Sequence, residues 1–85
     1  MYYNGKENTL AEFIEAKKEE WFERDRKRGH DEDFITKYWN DEGIVWAVEE
    51  YYGSMGEFSE ADIETIKKHF GQWAGDVIAL CEEAG

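Results

Sequence analysis

The side chains in this sequence that are most clearly able to carry chemistry are its carboxylates. Residues 41–64, DEGIVWAVEEYYGSMGEFSEADIE, hold eight Asp or Glu and no Lys, Arg or His. Helical surfaces usually mix both signs, because an acid and a base one turn apart stabilise a helix and like charges destabilise it. Such uncompensated charge either keeps the chain dissolved or forms the surface that a partner recognises.

The acidic charge has a density comparable to that of nucleic acid. Residues 31–66 contain eleven acids, and Lys37 is their only base. Phosphates recur every ~3.4 Å along a strand of duplex DNA, whereas eleven acids at helical rise average about one per 5 Å. A groove whose Lys and Arg hold nucleic acid would attract such a surface. We therefore predict that the partner-binding residues are Asp31, Glu32, Asp33, Asp41, Glu42, Glu49, Glu50, Glu57, Glu60, Asp62 and Glu64.

The residues that could support catalysis do not form a recognisable set. His30 and His69 are 39 residues apart, and no Ser or Cys pattern flanks either of them. Cys81 falls on an apolar stripe, where the expected state is a buried structural thiol. We expect no catalytic residues and no enzymatic activity.

Metal and phosphate motifs are also missing from the sequence. An EF-hand loop needs acids at positions 1, 3 and 5 and glycine at position 6, but placing Gly43 at position 6 puts Tyr38 at position 1. The glycine pair in GSMG lacks the Lys-Ser/Thr ending of a phosphate loop. The run RDRKRG, residues 24–29, could bind phosphate, but it is typical of a helix C-terminus whose bases complement the dipole. We expect no metal site and no cofactor.

Length and composition predict one acidic domain over residues 1–85. Leu, Ile, Val and Phe make up only 16 of 85 residues and the net charge is −11, which borders on the disordered class. Four Trp and five Tyr compensate, because large rings bury much apolar area, so we predict a mostly aromatic core. Residues 1–30 are neutral, with seven bases and seven acids, and residues 31–85 carry the full −11.

The composition also bounds the compartment and the partners. A single cysteine fits a reducing compartment, and neither a spanning apolar run nor a signal peptide is evident. We expect a soluble protein in the cytoplasm of a host cell, without membrane contact. A pI near 4.5 argues against direct binding of nucleic acid, and a homodimer is left open.

Local patterns predict an all-α fold of four to five helices, with a short strand at the N-terminal MYY. Thr9 and Glu12 form a capping box, so a neutral helix should cover about residues 9–28 and end at Gly29. An acidic helical half should follow over residues 31–85.

Within the acidic half, helical spacing favours helix over a strand at GIVWAV. Gly43 should kink this region, Gly53 should end it, and GSMGEF should be a loop. A second capping box begins at Ser59. The last apolar stripe should comprise Trp73, Val77, Leu80 and Cys81.

One part of the chain resembles a known family. Residues 47–77 combine paired Tyr51–Tyr52 after an acidic helix, the turn Gly56–Glu57–Phe58, and Trp73 before Gly75–Asp76. In these features the chain is similar to the C-terminal part of ArdA-type antirestriction proteins, acidic proteins that imitate duplex DNA and block type I restriction enzymes. The resemblance implies an inhibitor encoded by a phage or mobile element, and small acidic anti-CRISPR proteins fit the same description.

Two functions follow as hypotheses. The first is a non-catalytic inhibitor that mimics nucleic acid and blocks the DNA- or RNA-binding groove of a host defence enzyme. The alternative is a small helical adaptor or regulatory protein that docks a partner through an aromatic face, with charge serving only solubility. Binding should weaken steeply with salt in the first case and hardly change in the second.

Overall fold

The computed structural model describes residues 1–84 and contains three continuous helical segments behind an N-terminal hairpin. The elements are β1 Tyr2–Tyr3, β2 Lys6–Glu7, α1 Leu10–Lys27, α2 Glu32–Tyr38, a π-helical turn Trp39–Gly43, α3 Ile44–Met55, α4 Glu60–Phe70, a 3₁₀ turn Gly71–Trp73, and α5 Ala74–Ala84. Gly85, the last residue of the expected acidic half, lies outside the described residues. The all-α expectation is confirmed, and the expected strand is one arm of an antiparallel hairpin that pairs Tyr2 with Glu7.

The expected count of four to five separate helices is wrong. The π-helical turn joins α2 to α3 and the 3₁₀ turn joins α4 to α5, so the described chain has three helices over residues 10–27, 32–55 and 60–84. Glycine at position 43 is required by packing, because a Cβ there would lie 2.5 Å from Cε3 of Trp39. The extra residue of the π turn accommodates this ring without ending the helix.

The predicted helix ends are confirmed in α1 and are wrong in α3. The Thr9 Oγ1 accepts from the Glu12 N–H at 3.2 Å and the Glu12 carboxylate accepts from the Thr9 N–H at 3.0 Å, as a capping box requires. Gly29 follows the helix at φ +89°. Helix α3, however, continues through Gly53 to Met55 and ends at Gly56, at φ +78°. Half of the expected loop GSMGEF is therefore helical.

The core forms where α1 packs against α2, α3 and α4 and where α5 packs against α3 and α4. It includes Leu10, Phe13, Ile14 and Trp21 from α1, and Val77 and Cys81 from α5. Trp73 and Leu80, which were predicted to share one stripe with Val77 and Cys81, are 60% and 46% exposed, so that part of the prediction is wrong.

The expectation of a mostly aromatic core is also wrong. Of the fourteen buried apolar residues in the described part of the chain, only Phe13, Trp21, Trp39 and Tyr51 are aromatic. Many of the other rings lie at the surface, including Tyr2, Phe34, Tyr38, Trp46 and Trp73. These exposed rings are available to contact a partner or a ligand.

Candidate partner-binding surface

Ten of the eleven predicted partner-binding acids are accessible to solvent. Glu49 is half-buried, and the exposed ones are Asp31, Glu32, Asp33, Asp41, Glu42, Glu50, Glu57, Glu60 and Glu64. They follow α2, the π-helical turn, α3 and the first turns of α4. The helical periods that bury the apolar residues of these elements in the core leave the acids on the outer faces.

Three of these acids form ion pairs with bases. Glu32 pairs with Arg26 and Glu50 pairs with Lys17, so two of the bases come from α1. Glu64 pairs with Lys67 at 3.5 Å within α4. The hydrogen bond from Arg26 also holds the pKa of Glu32 below its usual range.

Seven accessible acids have no basic partner within 4 Å among the described residues. They are Asp31, Asp33, Asp41, Glu42, Glu49, Glu57 and Glu60, which we call the unpaired acidic surface. Asp31 has a structural role as well, because its carboxylate caps α2 by accepting the Phe34 N–H at 2.8 Å.

Asp62, the eleventh of the predicted partner-binding acids, does not belong to that surface because it is buried. It is 5% exposed, and its Oδ2 accepts the Ser59 N–H and the Tyr51 hydroxyl, each at 3.1 Å. Burial and the Asp62 carboxylate raise the pKa of Tyr51 to about 12. Asp62 closes the second capping box and ties α4 to α3.

The sequence interpretation missed a surface groove between α1, α2 and α3. A cavity of about 360 Å³ is lined by residues that include Trp21, Phe34, Tyr38 and Trp46. Its rings contact one another: Trp21 lies 5.5 Å from Tyr38 and 5.6 Å from Trp46 between centroids. Phe34, Tyr38 and Trp46 are 46%, 39% and 52% exposed. We call this cavity the aromatic groove.

Basic side chains line the same groove. The Arg24 guanidinium lies 4.5 Å from the ring centroid of Trp21, a cation–π distance. Arg24 Nε and Arg28 Nη1 lie 3.4 and 4.0 Å from the same oxygen of the buried Asp25 carboxylate. The exposed His30 stacks on Phe34 at 4.6 Å. The run RDRKRG therefore does more than complement a helix dipole. The i, i+3 spacing of Trp21 and Arg24 was the sequence signal that could have pointed to the groove.

The three residues considered for catalysis lie in different parts of the fold. His30 is exposed between α1 and α2, His69 is exposed near the end of α4, and Cys81 is buried in α5. Burial raises the pKa of the Cys81 thiol, which disfavours the reactive thiolate.

The described residues offer neither a cluster of metal ligands nor a membrane-spanning helix. Among residues 1–84, no three His, Cys, Asp or Glu side chains are grouped so that they could hold a metal ion. No helix in that range combines the length and the apolar character needed to cross a bilayer.

The chain was compared with known proteins at three levels. No family model, curated protein or solved structure matches it. The resemblance of residues 47–77 to ArdA-type proteins therefore stays a prediction.

Proposed function

We propose that this protein is a non-catalytic inhibitor, encoded by a phage or mobile element, that mimics nucleic acid. Its target is the DNA- or RNA-binding groove of a host defence enzyme of the restriction or CRISPR type, in the host cytoplasm. The observation that carries the proposal is the unpaired acidic surface, in which seven accessible carboxylates have no basic partner among the described residues.

The position of the acids matters for attracting a partner, whereas solubility depends only on the net charge. A net charge of −11 keeps an 85-residue protein dissolved wherever the charges lie. The carboxylates of the unpaired acidic surface lie in one half of the chain and are not neutralised by bases. They therefore create a negative electrostatic potential on that side, which attracts a basic groove. Protein and nucleic acid then compete for the same Lys and Arg side chains.

A second candidate is an adaptor that docks a partner through the aromatic groove. The favouring observation is the exposure of Phe34, Tyr38 and Trp46 around Trp21. Trp, Tyr and Arg are the residue types enriched in interface hot spots. In this function the acidic surface only maintains solubility.

Competition with DNA tests the first function directly. A purified type I restriction enzyme, or a CRISPR effector complex, is incubated with labelled duplex DNA and increasing amounts of the protein. We expect bound DNA to decrease for at least one such enzyme and excess DNA to reverse the effect. Raising NaCl from about 50 to about 200 mM should weaken the inhibitor by at least about tenfold, because each ion contact releases counterions.

Salt separates the two candidates. A complex that forms but keeps its affinity over this salt range, and that excess DNA does not dissociate, would reject nucleic-acid mimicry and favour docking through the aromatic groove. The same enzymes tested with free DNA alone supply the reference salt dependence.

A further inference from the structure

The polar groups of the aromatic groove are unbalanced towards hydrogen-bond donors. Arg24 and Arg28 each carry five N–H donors, yet among the described residues the one carboxylate oxygen within 4 Å of both is Oδ1 of Asp25, at 3.4 and 4.0 Å. These are long contacts for ionic hydrogen bonds, which are usually 2.7–2.9 Å. Most of the guanidinium donors therefore need an acceptor from water or from a ligand.

A second, buried donor in the groove also has no acceptor. Trp21 is nine-tenths buried, and its Nε1 makes no hydrogen bond among the described residues. Because this atom has less than 1 Å² of accessible surface, it is closed to a ligand as well as to water. The donors that a ligand in the groove can reach are those of Arg24 and Arg28, which are exposed.

The charge of the groove is opposite to that of the whole protein. Arg24 and Arg28 contribute two positive charges, and Asp25 cancels one of them. None of the eleven predicted partner-binding acids lines this cavity. The other two bases of the run are paired elsewhere, Arg26 with Glu32 and Lys27 with Glu23. The groove is thus a locally basic site on a protein of net charge −11.

The apolar walls of the groove fit a flat ring. Trp46, Tyr38 and Phe34 present exposed ring surface, and aromatic faces bind planar rings by stacking. The volume of about 360 Å³ lies at the lower end of small-molecule sites. A second cavity of about 480 Å³ shares Trp21, Arg24 and Trp46 with it and extends along α1 and α3, where Glu20 and Glu50 also line it. The basic part of the groove is therefore the first cavity.

The geometry points to a small-molecule site in the aromatic groove for a planar aromatic ring that carries one anionic group, a phosphate or a carboxylate. The ring stacks on Trp46 and Tyr38, and the anionic group receives hydrogen bonds from Arg24 and Arg28. A nucleoside monophosphate and an aryl carboxylate share this chemistry. The proposal does not rest on the function proposed for the acidic surface.

Titration with two probes tests the site and identifies the anionic group. Adenosine monophosphate and indole-3-acetate are added separately to the full chain while tryptophan fluorescence, or heat where the probe itself fluoresces, is measured. We expect saturable binding of at least one probe, and binding about tenfold weaker when adenosine replaces its monophosphate, because charged hydrogen bonds are lost. If adenosine monophosphate alone binds, the site takes a phosphate. If indole-3-acetate binds as well, it also takes a carboxylate, and if indole-3-acetate alone binds, it takes only the carboxylate.

Matched variants localise the binding. Arg28→Gln and Trp46→Ala should each weaken the better probe by about tenfold. Arg26→Gln and Trp73→Ala are the controls, because both residues are exposed and neither lines the groove. All four variants should keep the wild-type circular dichroism spectrum.

The indole N–H signals in an NMR spectrum provide a readout that does not depend on the variants. On saturation the Trp46 signal should shift, because a ring stacked on this exposed indole changes its magnetic environment, while the Trp73 signal stays in place. Absence of saturable binding by both probes up to millimolar concentration would overturn the proposal. Equal binding by Arg28→Gln, Trp46→Ala and the wild type, or an unmoved Trp46 signal at saturation, would overturn it as well.

Discussion

Helix α1 and residues 31–66 have nearly the same density of carboxylates and yet form opposite kinds of surface. Six of the eighteen residues of α1 are acids and five are bases, whereas residues 31–66 have eleven acids and one base. In α1, pairs such as Lys27–Glu23 and Lys17–Glu20 join neighbouring turns. The difference between the two regions is the supply of bases rather than the number of acids.

The shortage of ion pairs in residues 31–66 strongly affects the electrostatic field around the protein but hardly affects its free energy of unfolding. An exposed ion pair contributes only about 0–1 kcal/mol, so residues 31–66 lose little by lacking them. The same absence leaves a long-range negative potential that α1 does not produce. Helix α1 even supplies Lys17 and Arg26 to two acids of the other region, and the unpaired acidic surface is what remains.

The largest expected effect comes from reversing charge in one region and then in the other. The triple variant Asp41→Lys, Glu57→Lys and Glu60→Lys should weaken target binding by about a hundredfold or more, because like charges across an interface cost several kcal/mol. Competition with labelled DNA for the target measures this loss. Asp62 is not a suitable member of the triple, since it is buried.

The matched control makes the same charge change in α1. Glu15→Lys, Glu19→Lys and Glu23→Lys reverse three exposed acids of that helix and should reduce binding only a few-fold, through the weaker overall steering. If the two triples weaken binding equally, position does not matter and the acidic region is a solubilising surface. If the first triple binds like the wild type, nucleic-acid mimicry is rejected.

The next largest effect separates two acids that stand two residues apart on α4. Asp62→Ala should lower the free energy of unfolding by about 2–3 kcal/mol, since it removes a capping interaction and leaves the buried Tyr51 hydroxyl without its acceptor. Glu60→Ala, at an exposed and unpaired position, should change it by at most about 0.5 kcal/mol. Urea denaturation measures both values, and similar losses would show that burial does not distinguish the two acids.

The contrast between Asp62 and Glu60 shows what sequence could and could not predict. Local signals sufficed for the caps, because Thr9–Glu12 and Ser59–Asp62 act within one turn, and for the end of α1 at Gly29. The partner of Asp62 is Tyr51, which lies eleven residues away on another helix. Its burial therefore follows from the packing of α3 against α4, which no local pattern encodes.

The same reason explains the misplaced rings and glycines. A helical stripe fixes which residues share a face but not whether another helix covers them, so Trp73 and Leu80 were expected inside and are exposed. The sequence predicts a kink at Gly43, but it does not show that the ring of Trp39 lies where a Cβ of residue 43 would be. The sequence shows the spacing of Trp21 and Arg24 within α1, but not that α2 and α3 complete the walls of the aromatic groove around them.

A smaller effect at high pH tests the Tyr51–Asp62 contact without removing the acid. The pKa of Tyr51 is raised from 10.0 to about 12 in the folded protein. Between these values the native state keeps a proton that the unfolded state loses, so the free energy of unfolding should decrease as pH rises from about 10 to about 12, by roughly 2 kcal/mol from this group. This contribution is fully present below pH 10.

The variant Tyr51→Phe should lack that part of the pH dependence. It should be less stable than the wild type by about 1 kcal/mol at pH 8. Because the wild type loses roughly 2 kcal/mol by pH 12 and the variant does not, the difference should vanish near pH 11 and reverse above it. Urea denaturation at pH 8, 10 and 11 supplies the comparison. A difference that stays constant over this range would contradict the assignment. Tyr3, whose pKa burial and Glu20 also raise to about 12, leaves a residual slope in the variant.

The smallest expected effect concerns the mutual repulsion of the acids. At about 0.01 M salt the Debye length is about 30 Å, and at 0.15 M it is about 8 Å, whereas the protein measures 37 × 32 × 21 Å. In dilute salt every acid therefore repels nearly every other, and at physiological salt only neighbours interact. Raising the salt over this range should increase the melting temperature by a few degrees, corresponding to less than about 1 kcal/mol.

Salt has two opposite effects on the melting temperature: it screens the repulsion among the acids and it weakens the ion pairs of α1. The second effect would lower the melting temperature, but exposed pairs contribute little and the net charge of −11 is long-ranged. The triple variant in residues 41–60 removes much of the repulsion and should lose most of the salt-dependent increase. A wild-type melting temperature that decreases steadily between 0.01 and 0.15 M would mean that the pairs of α1 outweigh the repulsion, and the acidic surface would then have a much weaker field than the charge count indicates.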